Sequence, residues 1–500
     1  MTQQNLRVKN PSVTLYAFHL CSELATEEVT DADLMWENLI KLSNIFSMPE
    51  LQQLREKLIC YQDGKYNSAG EQGQRTDYLE LIPERELRFV AQDDLTLSGS
   101  VYPLRIHDAY AVDFTFSFQN QEVAVNHLRR FNPQSCLMPN HIQASLGQTL
   151  LLYAKPLDDA VADKNFADEC VKALLHDAKP PSLSNQGQLF GSPIFEYEII
   201  PKLDALYPLT HILVWLGKYA KTLELAGNAN FELINLLNCR HKVLFAYHQA
   251  RQSNDSARKI YNALDGESQK LHKLPETPEE RLKELEILLN KTSDNTFEYA
   301  RHLRNLDAHR TTIQANTINY AKWLGHIRDM SLPTDDLTFL DDFHAKICQH
   351  HLQQIDVYLD YLKPGHHLFE QMTTTILGLL HIGEQKQQMI RAEKFEFLIT
   401  FIGAAVGTGA ISATAIPDPS HLIALISHFF DLIRLPLIDS ISHFFDWIQL
   451  PLFELPKLLN NFALPEDILK VMFHLIVGGT TSLVFTPLIS VISKRRFTGK

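Results

Sequence analysis

The 500-residue sequence lacks the motifs by which many enzymes are recognised. It contains no G-x-G-x-x-G, no G-x-x-x-x-G-K-[ST], no G-x-S-x-G and no H-E-x-x-H, and therefore offers no signature of a dinucleotide site, a P-loop, a nucleophile elbow or a zincin helix. Its six cysteines are scattered without a C-x-x-C pair, which is typical of a reducing compartment and not of a disulfide framework or zinc ribbon. These absences predict that the protein is not an enzyme.

Positive charge is also scarce. Lys and Arg number 46 against 59 Asp and Glu, and the resulting net charge of −13 argues against a nucleic-acid-binding protein. A hydrophobic content of 45% and a mean hydropathy of −0.14 exclude both a disordered chain and a many-pass membrane protein. The first twelve residues form no apolar run, so no cleavable signal peptide is expected.

Residues 1–228 alternate strand-like and helix-like segments and predict a mixed α/β head. A capping box at Ser47–Glu50 predicts a helix to Cys60, a second helix is expected at Asp158–His176, and Lys179–Gly191 is expected to be a loop. The expected strands are Val13–Leu20, Leu97–Leu104, Ala111–Phe118, Gln148–Ala154, Ile194–Ile200 and His211–Leu216.

One acidic cluster in the head has two interpretations. Clustered carboxylates suit a hydrated divalent cation, but acids also accumulate in the first turn of a solvated helix, where they complement its dipole. The cluster consists of Asp158, Asp159, Asp163, Asp168 and Glu169.

Residues 229–396 predict a stalk of long, coiled-coil-like helices. Thr277–Glu280 is a capping box with proline at the first helical position, and a three–four spacing of mostly apolar residues then runs from Leu282 to Ile327. Ser331–Pro333 is expected to end this helix, and Lys363–Gly365 to break the next one. The paired histidines of this region lie too far apart along a helix to form one metal site within the chain.

Two uncharged runs, 397–416 and 471–493, have the length of transmembrane helices. Lysine and arginine precede the first and follow the second in the tail 494–500, while the loop 417–470 carries only three. By the positive-inside rule both termini are cytoplasmic, and the expected location is the plasma (inner) membrane of a bacterium.

Small residues recur at four-residue spacing in the first span, and such residues let helix backbones approach one another closely. With two spans per chain, these faces require a homo-oligomer embedded in the lipid bilayer. The helix-packing candidates are Gly403, Ala405, Gly407, Gly409 and Ala413, and the pore-lining candidates are Thr400, Gly403, Gly407 and Thr408.

The loop 417–470 contains an internal duplication, because Ile426–Leu437 recurs as Ile441–Leu452 with ten of twelve positions identical. Each copy predicts a short interfacial helix ended by proline. A histidine and an aspartate three residues apart share a helix face in each copy (His428 with Asp431, His443 with Asp446). They form either a divalent-ion site or a polar helix edge.

The order of head, long helices, two spans and basic tail resembles the CorA-type divalent-cation channel superfamily. Arg391–Gly403, entering the membrane, and Lys494-Arg495-Arg496 are the closest local matches, whereas the family's Gly-Met-Asn signature is absent: Ala413-Thr-Ala-Ile416 leads into Pro417. The resemblance implies a funnel-shaped pentamer whose first span lines a pore.

Two functions follow from these expectations. The first is a homo-oligomeric channel or transporter, conducting a divalent cation between hydroxyls and backbone carbonyls of the first span. The alternative is a non-conducting, membrane-anchored sensor, effector or scaffold whose head binds a ligand or protein. The sequence names neither an ion nor a head ligand.

Overall fold

The computed structural model describes residues 6–21, 31–67, 78–91, 97–118, 121–158, 162–176, 181–199, 210–271 and 273–384. These residues belong to two units of the chain. The first unit comprises Met1–Asp255 and Asn305–Tyr361, and the second comprises Ser256–Arg304 and Leu362–Lys500.

A mixed sheet organises the first unit. Ten strands join it, in the order β10-β11-β12-β9-β1-β7-β6-β4, with β5 added to β6 and β8 to β1, while β2 and β3 form a separate hairpin. All its pairs are antiparallel except β12 with β9. The strands are β1 Arg7–Leu20, β2 Tyr61–Gln62, β3 Lys65–Tyr66, β4 Tyr78–Glu80, β5 Leu87–Ala91, β6 Leu97–Ile106, β7 Ala109–Phe118, β8 Glu122–Ala124, β9 Gly147–Pro156, β10 Leu183–Leu189, β11 Ser192–Ile199 and β12 Thr210–Leu216.

Side chains alternate between the two faces of this sheet, because successive residues of a strand point to opposite sides. On β7, Phe114 and Phe116 enter a large core with Trp36 of α1 (Leu34–Phe46) and Phe166 of α5 (Lys164–Leu175). Burying one such aromatic side chain contributes about 1.5–3 kcal/mol. This face of the sheet is therefore an ordinary apolar core.

The opposite face packs against the first part of α7 (Asn230–Leu271). Here Tyr16 and Phe18 of β1 meet Ile234 and Leu237 of the helix in a smaller core. This face also carries polar side chains, as described below. The short helices are α2 Pro49–Gln52, α3 Leu54–Lys57, α4 Pro139–Ile142, α6 Thr222–Asn228 and α9 Thr338–Asp342.

The other long helices are α8 (Pro278–Met330) and α10 (Gln349–Glu384), and a π-helical stretch, Phe343–Cys348, precedes α10. The predicted start and end of α8 are confirmed, and at its start the Thr277 hydroxyl donates to the Glu280 carboxylate at 2.5 Å. The three–four spacing predicted between Leu282 and Ile327 has fourteen positions, and eleven of these residues are buried. Helix packing thus follows the spacing that the sequence shows.

Three local predictions are wrong. Ser47, in the left-handed region at φ 54°, ends α1 and caps no helix; the run to Cys60 is two short helices, α2 and α3. The expected loop 179–191 contains β10. In the second unit, α10 continues through Pro364 as one helix, and the Tyr299 hydroxyl donates to the nearby Leu362 carbonyl at 2.5 Å.

The predicted fold class, a CorA-like membrane protein with two transmembrane helices, is wrong for the chain that the structure describes. That chain is an α/β fold built on a large mixed sheet, and none of its helices combines the length and apolar character needed to cross a membrane. The same finding contradicts the predicted multi-pass inner-membrane location and channel. The runs 397–416 and 471–493, and the loop between them, lie outside the described residues.

Candidate functional site

None of the predicted pore-lining or helix-packing residues can be placed, because all lie outside the described residues: Thr400, Gly403, Ala405, Gly407, Thr408, Gly409 and Ala413. The two histidine–aspartate pairs of the duplication lie outside them as well.

Of the acidic cluster of the head, Asp159 lies outside the described residues, and Asp163, Asp168 and Glu169 lie at the start of α5 or within it. Asp163 caps α5 by accepting a hydrogen bond from the Phe166 backbone N–H at 2.9 Å. Asp168 pairs with Lys164 at 2.7 Å and accepts from the Tyr197 hydroxyl at 2.7 Å. Protein groups therefore use these carboxylates. Among the described residues, no group of three or more His, Cys, Asp or Glu is arranged to hold a metal ion.

The most concentrated set of chemically active side chains lies under α7 in the first unit. Neighbouring strands supply three of its members and the helix supplies two. We call this set the polar network, and it consists of Thr149 on β9, Glu196 on β11, His211 on β12, and Arg240 and His241 on α7.

Strand register brings the three sheet residues together. His211 lies opposite Thr149 in the parallel pair of β12 and β9, and its antiparallel neighbour on β11 is Glu198, two residues from Glu196. The Thr149 hydroxyl lies 2.9 Å from His211 Nδ1, and His211 Nε2 lies 2.9 Å from Glu196 Oε1. An acid, an imidazole and a hydroxyl thus form one hydrogen-bonded row across the sheet.

Arg240 neutralises the acidic end of this row. Its guanidinium donates to Glu196 Oε1 at 3.1 Å and to Glu198, and it lies over the Phe343 ring, 4.3 Å from the centroid. Only 6% of the Arg240 side chain and 8% of the Glu196 side chain are exposed. Removal from water makes such a pair costly to break, because either charge alone would remain buried.

His241 forms the other end of the row. Its Nε2 lies 2.9 Å from the Thr149 hydroxyl, and its ring packs against Phe18 with centroids 5.4 Å apart. Gly147, opposite Phe18 in the β1–β9 pair, makes room for this ring: a Cβ there would lie 2.7 Å from His241 Nδ1. His241 is fully buried, and its Nδ1 has no hydrogen-bond partner.

The charges in the network are fixed by their neighbours. Burial alone would raise the pKa of Glu196, but the Arg240 charge and the hydrogen bond from His211 outweigh it and hold that pKa below its ordinary value. Burial, with the Arg240 charge, lowers the pKa of His211 despite the opposing bond to Glu196. Glu196 is therefore ionised and His211 neutral near pH 7.

Burial, helped by the charges of His211 and Arg240, lowers the pKa of His241 well below its ordinary value. With both rings neutral, the hydrogen-bond directions follow. His211 must donate from Nε2 to the Glu196 carboxylate, so its Nδ1 accepts the Thr149 hydroxyl proton, and the Thr149 oxygen accepts from His241 Nε2. Every bond in the row points toward Glu196.

This order of acid, imidazole and hydroxyl is the one that activates a nucleophile. Thr149, however, is 0% exposed in the middle of the sheet beneath α7, where no substrate can reach its oxygen. A cavity of about 20 Å³ on the same face, lined by residues such as Leu151, Leu213 and Leu237, is large enough for one water molecule and too small for a substrate. The geometry supports proton positioning and not group transfer.

Sequence reasoning missed this network. The signals present in the chain are polar residues inside otherwise apolar strands: Gln148-Thr149 before Leu150, and Glu196 and Glu198 alternating with Phe195 and Tyr197. Alternation places such residues on one face, but nothing local shows that α7 covers that face.

No family model, no curated protein and no solved structure matches the chain. The resemblance to CorA-type channels stays a prediction, and the network must be interpreted from its own chemistry.

Proposed function

We propose that the chain is a non-catalytic sensor or effector in which the sheet of the first unit controls how α7 is held. This keeps the sensing alternative of the sequence analysis without its membrane anchor. The observation that carries the proposal is the polar network itself: side chains suited to catalysis are sealed between helix and sheet, where they can only bond each other.

Other polar bonds reinforce the attachment of α7. Asn230, its first residue, accepts from the Tyr16 hydroxyl at 2.7 Å and donates to Asp113 at 2.9 Å. Farther along the helix, Lys242 bonds Asp108. Apolar contacts allow a helix to slide, whereas buried polar bonds are directional and costly when one partner is lost. They therefore specify one position of α7, and a single chemical change can weaken it.

Self-association stays part of the proposal, since the sequence predicts a homo-oligomer; light scattering of the purified full chain measures its mass. Channel activity is not carried forward, because it depended on membrane helices that the described chain does not contain.

Hydrogen exchange tests the proposed control of α7. In the Arg240→Met variant, we expect faster amide exchange in the part of α7 within the first unit, 230–255, with little change in α5. Arg328→Met is the matched control, because Arg328 and its partner Asp341 are about half exposed, at 52% and 46%. Exchange that rises equally in α5 and α7 would contradict selective control.

A second assay tests the absence of catalysis. Wild type and Thr149→Val are compared for hydrolysis of p-nitrophenyl acetate, a small activated ester. We expect equal rates, because the Thr149 hydroxyl is sealed from solvent. Hydrolysis that Thr149→Val abolishes, and Thr149→Ser retains, would show instead that the row of acid, imidazole and hydroxyl acts as a nucleophilic site.

A further inference from the structure

We propose that His241, Thr149 and His211 form a proton relay, in which a proton taken up at His241 Nδ1 appears as positive charge on His211. This inference deepens the proposed function and rests on it, since it names acid as the signal that alters the hold on α7. Two observations support it: the order of the hydrogen bonds from His241 through Thr149 and His211 to Glu196, and the absence of a hydrogen-bond partner at His241 Nδ1.

The row has a closed end and an open end. At the closed end, His211 Nε2–H is held by the Glu196 carboxylate at 2.9 Å. At the open end, His241 Nδ1 carries a lone pair and has no hydrogen-bond partner in a fully buried ring. A proton entering the row without breaking a bond must therefore bind at His241 Nδ1.

The transfer balances at every atom. When His241 Nδ1 gains a proton, Nε2 passes its own proton to the Thr149 oxygen, and Thr149 passes its hydroxyl proton to His211 Nδ1. His241 is then neutral with its proton on Nδ1, the threonine hydroxyl is restored, and His211 is the imidazolium. One proton has entered, and no hydrogen-bonded distance needs to change, since both transfers follow existing bonds of 2.9 Å.

The surroundings determine where the charge settles. His211 contacts an ionised carboxylate, Glu196, and Glu198 adds a second negative charge nearby. His241 faces Thr149, Phe18 and Gly147, none of which is charged. The positive charge is therefore more stable on His211 than on His241.

Several elements packed around the row contribute titratable or charged groups. Strand β9 contributes Thr149, β12 His211, and β11 the acids Glu196 and Glu198; α7 contributes Arg240 and also Lys242, which bonds Asp108; α8 contributes Tyr320, and the π-helical stretch Phe343 and Cys348. Arg240 is the cation that opposes charge on His211.

The relay loosens α7 because it leaves a donor unpaired. Once the proton sits on His241 Nδ1, that N–H points at the backbone beside Gly147, where the structure gives it no acceptor. A buried donor without a partner costs about 1–3 kcal/mol. Acid thus makes the packed position of α7 on β9 less stable, through the unpaired N–H of His241, while it strengthens the bond between His211 and Glu196.

Nitrogen NMR of the ¹⁵N-histidine-labelled full chain tests the relay, because imidazole shifts distinguish the two tautomers from the imidazolium. His211→Asn and His241→Asn assign the two signals. Near pH 8 we expect both rings neutral with the proton on Nε2. As the pH falls below His211's apparent transition, we expect His211 to become doubly protonated and His241 to switch its proton to Nδ1 at the same midpoint.

Thr149→Val removes the hydroxyl between the rings, and Thr149→Ser keeps it. The tautomer switch of His241 should vanish in the valine variant and persist in the serine variant. His241 carrying its proton on Nδ1 near pH 8 would overturn the relay, as would a coupled switch that survives Thr149→Val. The wild-type spectrum alone decides the first point, even where the valine variant fails to fold.

The exchange experiment on Arg240→Met separates failure of the relay from failure of the proposed function. Selective loosening of 230–255 without the tautomer switch refutes the relay and leaves control of α7 standing. Uniform loosening refutes the proposed function whatever the histidine signals show.

Discussion

Replacing Arg240 by methionine removes the cation that pairs with both Glu196 of the polar network and its neighbour Glu198. Methionine is unbranched and apolar and replaces the aliphatic part of the arginine, so the change removes the guanidinium, with its charge and its contact with the Phe343 ring, more than it removes apolar packing. Glu196 keeps the His211 bond, but it loses the guanidinium 3.1 Å away. Two acids, Glu196 and Glu198, then face each other without a counter-charge.

The size of the effect follows from burial. At 3.1 Å and an effective dielectric constant of about 20, the attraction between Arg240 and Glu196 amounts to about 5 kcal/mol before desolvation is counted. Breaking a buried pair by removing one partner typically costs about 3–5 kcal/mol. The variant should recover part of this, because loss of Arg240 lets the pKa of His211 rise, and a protonated His211 can neutralise Glu196. We therefore expect a loss of about 3 kcal/mol near pH 8 and a smaller loss near pH 5.

Urea unfolding followed by tryptophan fluorescence measures this loss, since Trp36, Trp215 and Trp323 all belong to the first unit. Arg328→Met is again the control, and its exposed pair should change the free energy of unfolding by less than about 1 kcal/mol. Equal losses for the two variants would refute the reasoning. So would a loss for Arg240→Met that grows toward acid pH.

Three further predictions concern a glycine beside His241, a hydrogen bond in the second unit and the buried histidines. Gly147→Ala should destabilise the first unit by at least about 1–3 kcal/mol in urea unfolding, because φ at this position is +111° and the added Cβ would meet His241. Gly325→Ala is the control: this glycine lies inside α8 with free space around it, so the change should be neutral or stabilising. Tyr299→Phe should cost about 0.5–1.5 kcal/mol in urea unfolding followed by circular dichroism, because the second unit loses the buried hydrogen bond to the Leu362 carbonyl; an unchanged stability would show that the bond contributes nothing. The free energy of unfolding, measured as a function of pH, should decrease as the pH is lowered from about 6.5. The decrease should be up to about 1.4 kcal/mol per pH unit for each buried histidine. The folded state holds the pKa of His241 below its unfolded value, so the unfolded state takes up protons first; a flat profile would contradict this.

The long strands could be predicted from the sequence because their side chains alternate strongly. Ala111–Phe118 places four apolar residues on one face and polar residues on the other, and β7 spans Ala109–Phe118. The remaining central strands are long enough to show the same period. Some missed strands are short, such as β4, Tyr78–Glu80, whose three residues cannot display a period of two. The edge strand β10, Leu183–Leu189, was missed because its Ser, Asn, Gly and Gln residues are typical of a loop.

Helix α8 could be predicted for a similar reason: its apolar spacing persists over many turns, and a capping box marks its start. The break expected at Pro364 was wrong because proline removes only the one N–H that would bond the Asp360 carbonyl, and the helix continues on both sides of that turn. The hydroxyl of Tyr299, on another helix, also anchors this turn by donating to the Leu362 carbonyl. Nothing near Pro364 in the sequence announces this partner, which lies 63 positions away.

The polar network could not be predicted for the same physical reason. Thr149 is 62 positions from His211 and 92 from His241, and the contacts depend on a parallel strand pair and on α7 crossing that face. Each residue alone is unremarkable: a threonine in a strand, a histidine at a strand's start, an arginine on a helix. Only the register makes them a row.

The network also differs from an ordinary stabilising core in what its loss should do. Apolar side chains at all five network positions together could fill the same space without needing partners, and such replacements of whole buried polar sets are often neutral or stabilising. Stability alone therefore gives no reason to place an acid, a base and a hydroxyl beneath a helix. What apolar packing cannot supply is a fixed direction of hydrogen bonds with one open position at His241 Nδ1. A protein that responds to protonation requires that feature, and a purely structural core does not.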